Sequence, residues 1–85
     1  MNYVYLLRST IDRELYIGST VDLKRRFKEH NEGKVRSTKH RTPFELVYYE
    51  SYKHLDDARE REKQLKYRGQ ALGQLKRRLS KSLEI

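Results

Sequence analysis

The sequence predicts a small α/β (α+β) domain, a three-stranded and mostly antiparallel sheet flanked by helices in the order β-β-α-β-α-α. Three observations carry this expectation. Two short β-rich runs near the start are joined by a polar break too brief for a crossover helix. The apolar residues that follow recur at helical spacing, and the second half of the chain repeats the order of strand and then helix.

Residues 2–8 alternate, with Tyr3, Tyr5 and Leu7 on one side of an extended chain and Val4 and Leu6 on the other. Their aromatic and β-branched content favours a strand. After the polar residues 9–14, residues 15–20 read as a second strand, and the short connection makes an antiparallel hairpin the simplest pairing. Tyr5 and Tyr16 then meet directly or diagonally across it.

Thr20 or Asp22 can cap a helix running to about Asn31, with Gly33 as its left-handed stop. Leu23 and Phe27, four apart, form the apolar stripe of that helix. Arg26 and His30 share the same spacing and form a second stripe roughly 60° around, which borders the core. Residues 34–42 hold Lys34, Arg36, Lys39, His40 and Arg41 without one acid, and Pro43 punctuates the loop.

Residues 44–52 have the β-propensity of a third strand, in which Tyr48, Tyr49 and Tyr52 are expected to serve sheet packing. Asp56 or Asp57 can start a helix carrying Ala58, Glu62 and Leu65, which Gly69 is expected to break. Leu72, Leu75 and Leu79 mark a last amphipathic helix over about residues 70–82, with Lys76, Arg77, Arg78 and Lys81 on its other faces.

One domain over residues 1–85 is expected, with a thin and simple core, because a chain of this size buries only about 60% of its unfolded surface. Lys and Arg number 20 against 12 acids, a formal charge of +8, which favours a polyanionic partner and nucleic acid before others. The longest uninterrupted apolar run spans residues 3–7, far short of the roughly 20 residues of a membrane span. A cytoplasmic protein with no membrane partner is the expectation. Having no cysteine, the chain has no disulfide, no thiolate metal site and no thiol nucleophile.

Three elements thus offer chemistry: the hairpin two tyrosines, the first helix Arg26 and His30, and the second helix Glu62. Taken singly each has an ordinary reading: a sheet tyrosine with a wet hydroxyl, a solvated charge, or a Glu62–Lys66 pair on a helix surface. Taken together they resemble the GIY-YIG nuclease family. Tyr3-Val4-Tyr5 stands where that family has Gly-Ile-Tyr, and Tyr16-Ile17-Gly18 matches Tyr-Ile-Gly in full. Arg26 lies ten residues after Tyr16, His30 four after Arg26, and Glu62 matches the family's glutamate. The likeness covers about residues 2–68 and is greatest to the small stand-alone members. Their catalytic core is similar to the N-terminal domain of the nucleotide-excision-repair nuclease subunit. Tyr3 in place of the first glycine is a departure.

The resemblance implies the GIY-YIG fold and a metal-dependent endonuclease hydrolysing phosphodiesters, as structure-specific or nonspecific DNA nicking in repair or recombination, RNA not being excluded. The alternative is a catalytically silent nucleic-acid-binding module or an accessory subunit of a repair complex. Glu62 would hold one Mg²⁺ or Mn²⁺, which keeps most of its waters and so needs few protein ligands. Arg26 offers a planar, always charged fork for the phosphoryl oxygens. Tyr5 would activate water if neighbouring cations lowered its pKa, Tyr16 would orient it, and His30 would bond a tyrosine or relay its proton. The two tyrosines can exchange parts. Lys24, Lys34, Arg36, Lys39, Arg41 and Lys66 are expected along backbone phosphates, and Gly18 where close packing or close substrate approach forbids a side chain.

Overall fold

The computed structural model describes residues 1–84. The last residue of the expected domain, 85, lies outside the described residues. The chain runs β1 (Asn2–Ser9), β2 (Leu15–Thr20), α1 (Leu23–Asn31), β3 (Phe44–Tyr52), α2 (Leu55–Tyr67) and α3 (Gly69–Arg78), with a short 3-10 turn at Lys39–Arg41. This is the predicted order. The sheet is antiparallel throughout, in the spatial order β2-β1-β3, so the first strand is central.

Alternation along β1 divides the core in two. Val4 and Leu6 join Ile17, Ala58, Leu65 and Leu75 beneath α2 and α3, whereas Tyr5 and Leu7 join Phe44, Leu23 and Phe27 beneath α1. A register shift between Leu6 and Leu7 interrupts the pairing of β1 with β3. Through it, Val47 and Tyr48, neighbours in sequence, both pack toward the α2 side, while Leu46 packs beneath α1.

Asp22 caps α1 by accepting from the Arg25 amide at 3.1 Å, and Gly33 follows with φ of 73°, both as expected. Two helix boundaries differ from expectation. His54, whose Nδ1 accepts from the Asp56 amide, caps α2 two residues before the first of the aspartates, which instead occupy the first turn where their charge suits the helix dipole. Gly69 opens α3 rather than merely ending α2, and α3 stops at Arg78, short of residue 82.

The segment after α3 returns to the sheet, where buried Arg8 donates to the Leu83 carbonyl at 2.5 Å and to Glu45. A second tie joins β3 to α2: Glu50 accepts from Arg61, from Tyr48 at 2.7 Å and from Tyr52. Burial first, and then the bond to Glu50, push both phenols up to about 12. No helix among the described residues is long and apolar enough to cross a membrane.

Candidate active site

Register fixes the tyrosines. Tyr5 stands opposite Gly18 and Tyr16 opposite Leu7, so the two phenols are diagonal neighbours on the α1 side with ring centroids 6.4 Å apart. The Tyr5 ring leans across β2 over Gly18: a Cβ there would lie 2.4 Å from Tyr5 Oη and 2.5 Å from its Cζ. Of the two reasons expected for that glycine, the structure supplies close packing.

His30, in the last turn of α1, is wholly buried. Its Nε2 is 2.9 Å from Tyr5 Oη and its Nδ1 is 2.8 Å from Thr38 Oγ1, which in turn lies 3.5 Å from the Val35 carbonyl. One proton order gives every buried donor an acceptor. Tyr5 donates to Nε2, Nδ1–H donates to Thr38, and the Thr38 hydroxyl turns to the Val35 carbonyl. Burial and then the nearby Arg26 charge lower the His30 pKa, in keeping with a neutral ring that can accept from Tyr5. The imidazole also meets Tyr16 and Phe44 edge-on, with centroids at 5.0 Å and 6.0 Å. The stripe of Arg26 and His30 therefore does more than border the core: its histidine end is inside it.

Arg26, one turn earlier, stands at the rim with its side chain 38% exposed, and Nη1 donates to Glu29 at 3.1 Å. With Arg25, Glu29, Ser19 and Thr20 it lines an open recess of about 290 Å³ between the end of β2 and α1. The Arg26 guanidinium pulls the Tyr5 pKa down, but burial pulls harder and the phenol is pushed up to about 12. This reverses the expectation that cations would leave Tyr5 an easy proton acceptor.

Glu62 arrives from the other side. Its helix, α2, packs beneath the face opposite α1, and Ser19, which shares that face with Ile17, donates to Glu62 Oε1 at 2.6 Å. Since β2 is an edge strand, the carboxylate sits along the strand's open side instead of beneath the tyrosines. Its charge still acts on Tyr5, and the charge of Lys66, paired with Glu62 Oε2 at 2.8 Å, is felt together with Tyr16. Burial alone would raise the Glu62 pKa, yet Lys66 and then Ser19 outweigh it and hold the group ionised. The convergence expected from sequence is thus split: four groups gather on one face, and the fifth reaches them around an edge.

Of the residues expected along phosphates, Lys24, Lys34, Arg36 and Lys39 are exposed, Lys34 lying 3.2 Å from Glu32. Arg41 is engaged by Asp12 at 2.7 Å and stacks over Phe44, and Lys66 is engaged by Glu62. Thr38 and Ser19 are partners that the sequence reading missed. Ser19 was within reach, since alternation places it on the Ile17 face of an edge strand; nothing local singles out Thr38.

The model for the GIY-YIG catalytic domain matches residues 1–77. The chain belongs to the GIY-YIG family. Among GIY-YIG proteins it is similar to the UPF0213 protein of Syntrophus aciditrophicus, 43% identical over 67 residues that cover 76% of each chain. The UPF0213 protein of Clostridium perfringens is 42% identical over 67 residues, covering 78% of this chain and 71% of its own. The solution NMR structure of a UPF0213 protein from Bacillus halodurans superposes with a TM-score of 0.55 at 34% identity, covering 88% of this chain and 83% of that one. The GIY-YIG chain is therefore also one of the UPF0213 proteins.

GIY-YIG nucleases generally depend on a divalent metal. No group of three His, Cys, Asp or Glu side chains among the described residues could cage one. A hydrated Mg²⁺ asks for less, and an ionised carboxylate with lone pairs left on both oxygens fits it.

Proposed function

We propose that this GIY-YIG chain is a metal-dependent endonuclease that hydrolyses phosphodiester bonds, with DNA as its substrate, nicking it in a structure-specific or nonspecific manner in repair or recombination. The observation that supports this most is the cluster of Arg26, Tyr16 and the bonded Tyr5–His30 pair, with the ionised Glu62 held by Ser19 of β2 and acting on Tyr5 through its charge. Arg26 binds the phosphoryl oxygens and stabilises charge that grows on them in the transition state. Tyr16, half-buried beside His30, orients the attacking water. Tyr5, buried with its proton directed at His30 Nε2, is better suited to holding that arrangement than to attacking a water itself. Glu62 would hold one Mg²⁺ or Mn²⁺, which when bound neutralises charge on the phosphoryl and leaving oxygens.

With either ion, purified protein should nick branched or single-stranded DNA. Glu62→Ala should lower the rate by at least about a hundredfold, comparable to losing one strong transition-state contact. DNA affinity should stay within about twofold, since the carboxylate repels phosphate and binds only through the ion. Wild-type protein that binds a broad panel of substrates and cuts none would end the nuclease reading. The catalytically silent binding module would then stand, a reading favoured by the raised Tyr5 pKa and by a Glu62 already engaged by Lys66 and Ser19.

A further inference from the structure

The three tyrosines of β3 do not share one fate. Tyr48 and Tyr52 donate to Glu50 on the α2 side, as sheet packing requires, but Tyr49 faces the α1 side and is 52% exposed. Its ring meets that of Tyr3 edge-on, with centroids 5.9 Å apart. Together with Leu23, Phe27 and Leu46 these rings wall an open recess of about 450 Å³, with Lys24 at its rim. That volume falls in the range of small-ligand sites. Val21 and Asp22 line both this recess and the one containing Arg26, so the two are adjacent along a single wall. The Asp22 carboxylate is committed to the cap of α1.

We propose that this recess is a stacking site for one unpaired nucleobase, whose strand runs past Lys24 toward Arg26. The inference rests on the nucleic-acid reading above and names the feature of the substrate that the site selects. An aromatic wall accepts any base by its π-face, and stacking of this kind is worth about 1–3 kcal/mol per base. A lysine at the rim, on a chain of net charge +8, complements the phosphate that every base carries with it. A second copy of this chain brings the same positive charge and is a poor occupant for the same reason. A base inside a duplex must first leave its neighbours to enter, which costs a few kcal/mol; a base in a single strand or at a junction is already available.

The test is binding of a labelled single strand and of a blunt-ended, fully paired duplex of equal length, in chelator, so that no cleavage enters the reading. Tyr49→Ala should weaken single-strand binding about tenfold, the equivalent of about 1.4 kcal/mol, and leave duplex binding within about twofold. Tyr49→Trp should keep the affinity, with its emission quenched by the single strand. Since Tyr49 is exposed on an edge strand, both variants should retain the wild-type circular dichroism. Equal losses on both nucleic acids, no loss in Tyr49→Ala, or a wild-type dimer in sedimentation that Tyr49→Ala abolishes would each overturn the assignment. If Tyr49→Ala binds as wild type while wild type nicks DNA, only the recess reading fails. If strand binding needs Tyr49 and nothing is ever cut, the recess stands and the nuclease reading falls.

Discussion

On the side covered by α2 and α3, the central strand presents Val4 and Leu6 to Ile17, Ala58, Leu65 and Leu75; on the side covered by α1, the same strand presents Tyr5 to Tyr16 and to His30, which in turn bonds Thr38. The first contact region is aliphatic and non-directional, and each fully buried side chain contributes about 1.5–3 kcal/mol. The second adds to the packing of Leu7, Phe44, Leu23 and Phe27 the directional bonds of Tyr5, His30 and Thr38, whose net contribution is about 1 kcal/mol each. A period of two in one strand thus separates what holds the sheet together from what sets the geometry of the candidate site.

Three substitutions probe that division. Leu6→Ala, on the aliphatic side, should cost about 2–5 kcal/mol in urea denaturation, because it empties space in a packed core. The hydrogen-bonded proton of the Tyr5–His30 pair, followed by NMR, should be unchanged, and its loss would mean that the two faces are coupled. Gly18→Ala acts on the other side, placing a methyl group where the Tyr5 phenol lies. A cost of about 1–3 kcal/mol from overpacking is expected, together with displacement of Tyr5 from His30, visible as loss of a slowly exchanging hydroxyl or imidazole proton by NMR. Should the methyl be accommodated at no cost, the close approach is not what keeps residue 18 a glycine.

His30→Gln should be the mildest near neutral pH, about 1–2 kcal/mol for bonds left poorly made. Its value lies in the pH profile. The folded pKa of His30 lies below its ordinary 6.5, so the neutral ring is favoured in the native state. The stability this contributes is complete above about pH 6.5 and is lost as pH falls through the lowered folded value. Glu62, Glu29 and Asp12 also have lowered pKa values and add losses of the same sign, but from below about pH 4.5. Wild type should therefore lose stability in thermal melts as pH falls below about 6.5, and His30→Gln should be flatter there. Parallel profiles would remove His30 as the source.

The fold was legible because its rules are local. Alternation divided Tyr3, Tyr5 and Leu7 from Val4 and Leu6, residues 15–20 and 44–52 were placed as strands at their observed bounds, and Asp22 and Gly33 have the conformations their types favour. The site was legible only in part, since what its groups do depends on their surroundings. The register shift beside Leu7 alters the phase of β3, so alternation carried on from Phe44 and Leu46 would put Tyr48 and Tyr52, rather than Tyr49, on the α1 side. The depth of His30 depends on Thr38, which a loop delivers from eight residues away. The Tyr5 pKa turns on burial outweighing Arg26, a balance that residue types alone do not disclose. Likewise, Glu62 was placed on the right helix, but which face that helix covers is decided by Ala58 and Leu65 meeting Ile17.

The position of β1 between β2 and β3 has a dynamic consequence. Amides of a strand bonded on both flanks exchange with solvent only when the whole domain opens, while those at the outer edges of β2 and β3 exchange through small local fluctuations. Tyr5 thus rides on the slowest-moving backbone of the molecule, whereas Tyr16 and Tyr49 belong to strands that can breathe. The ring buried against His30 is the fixed reference, and half-buried Tyr16 and exposed Tyr49 are free to adjust around it.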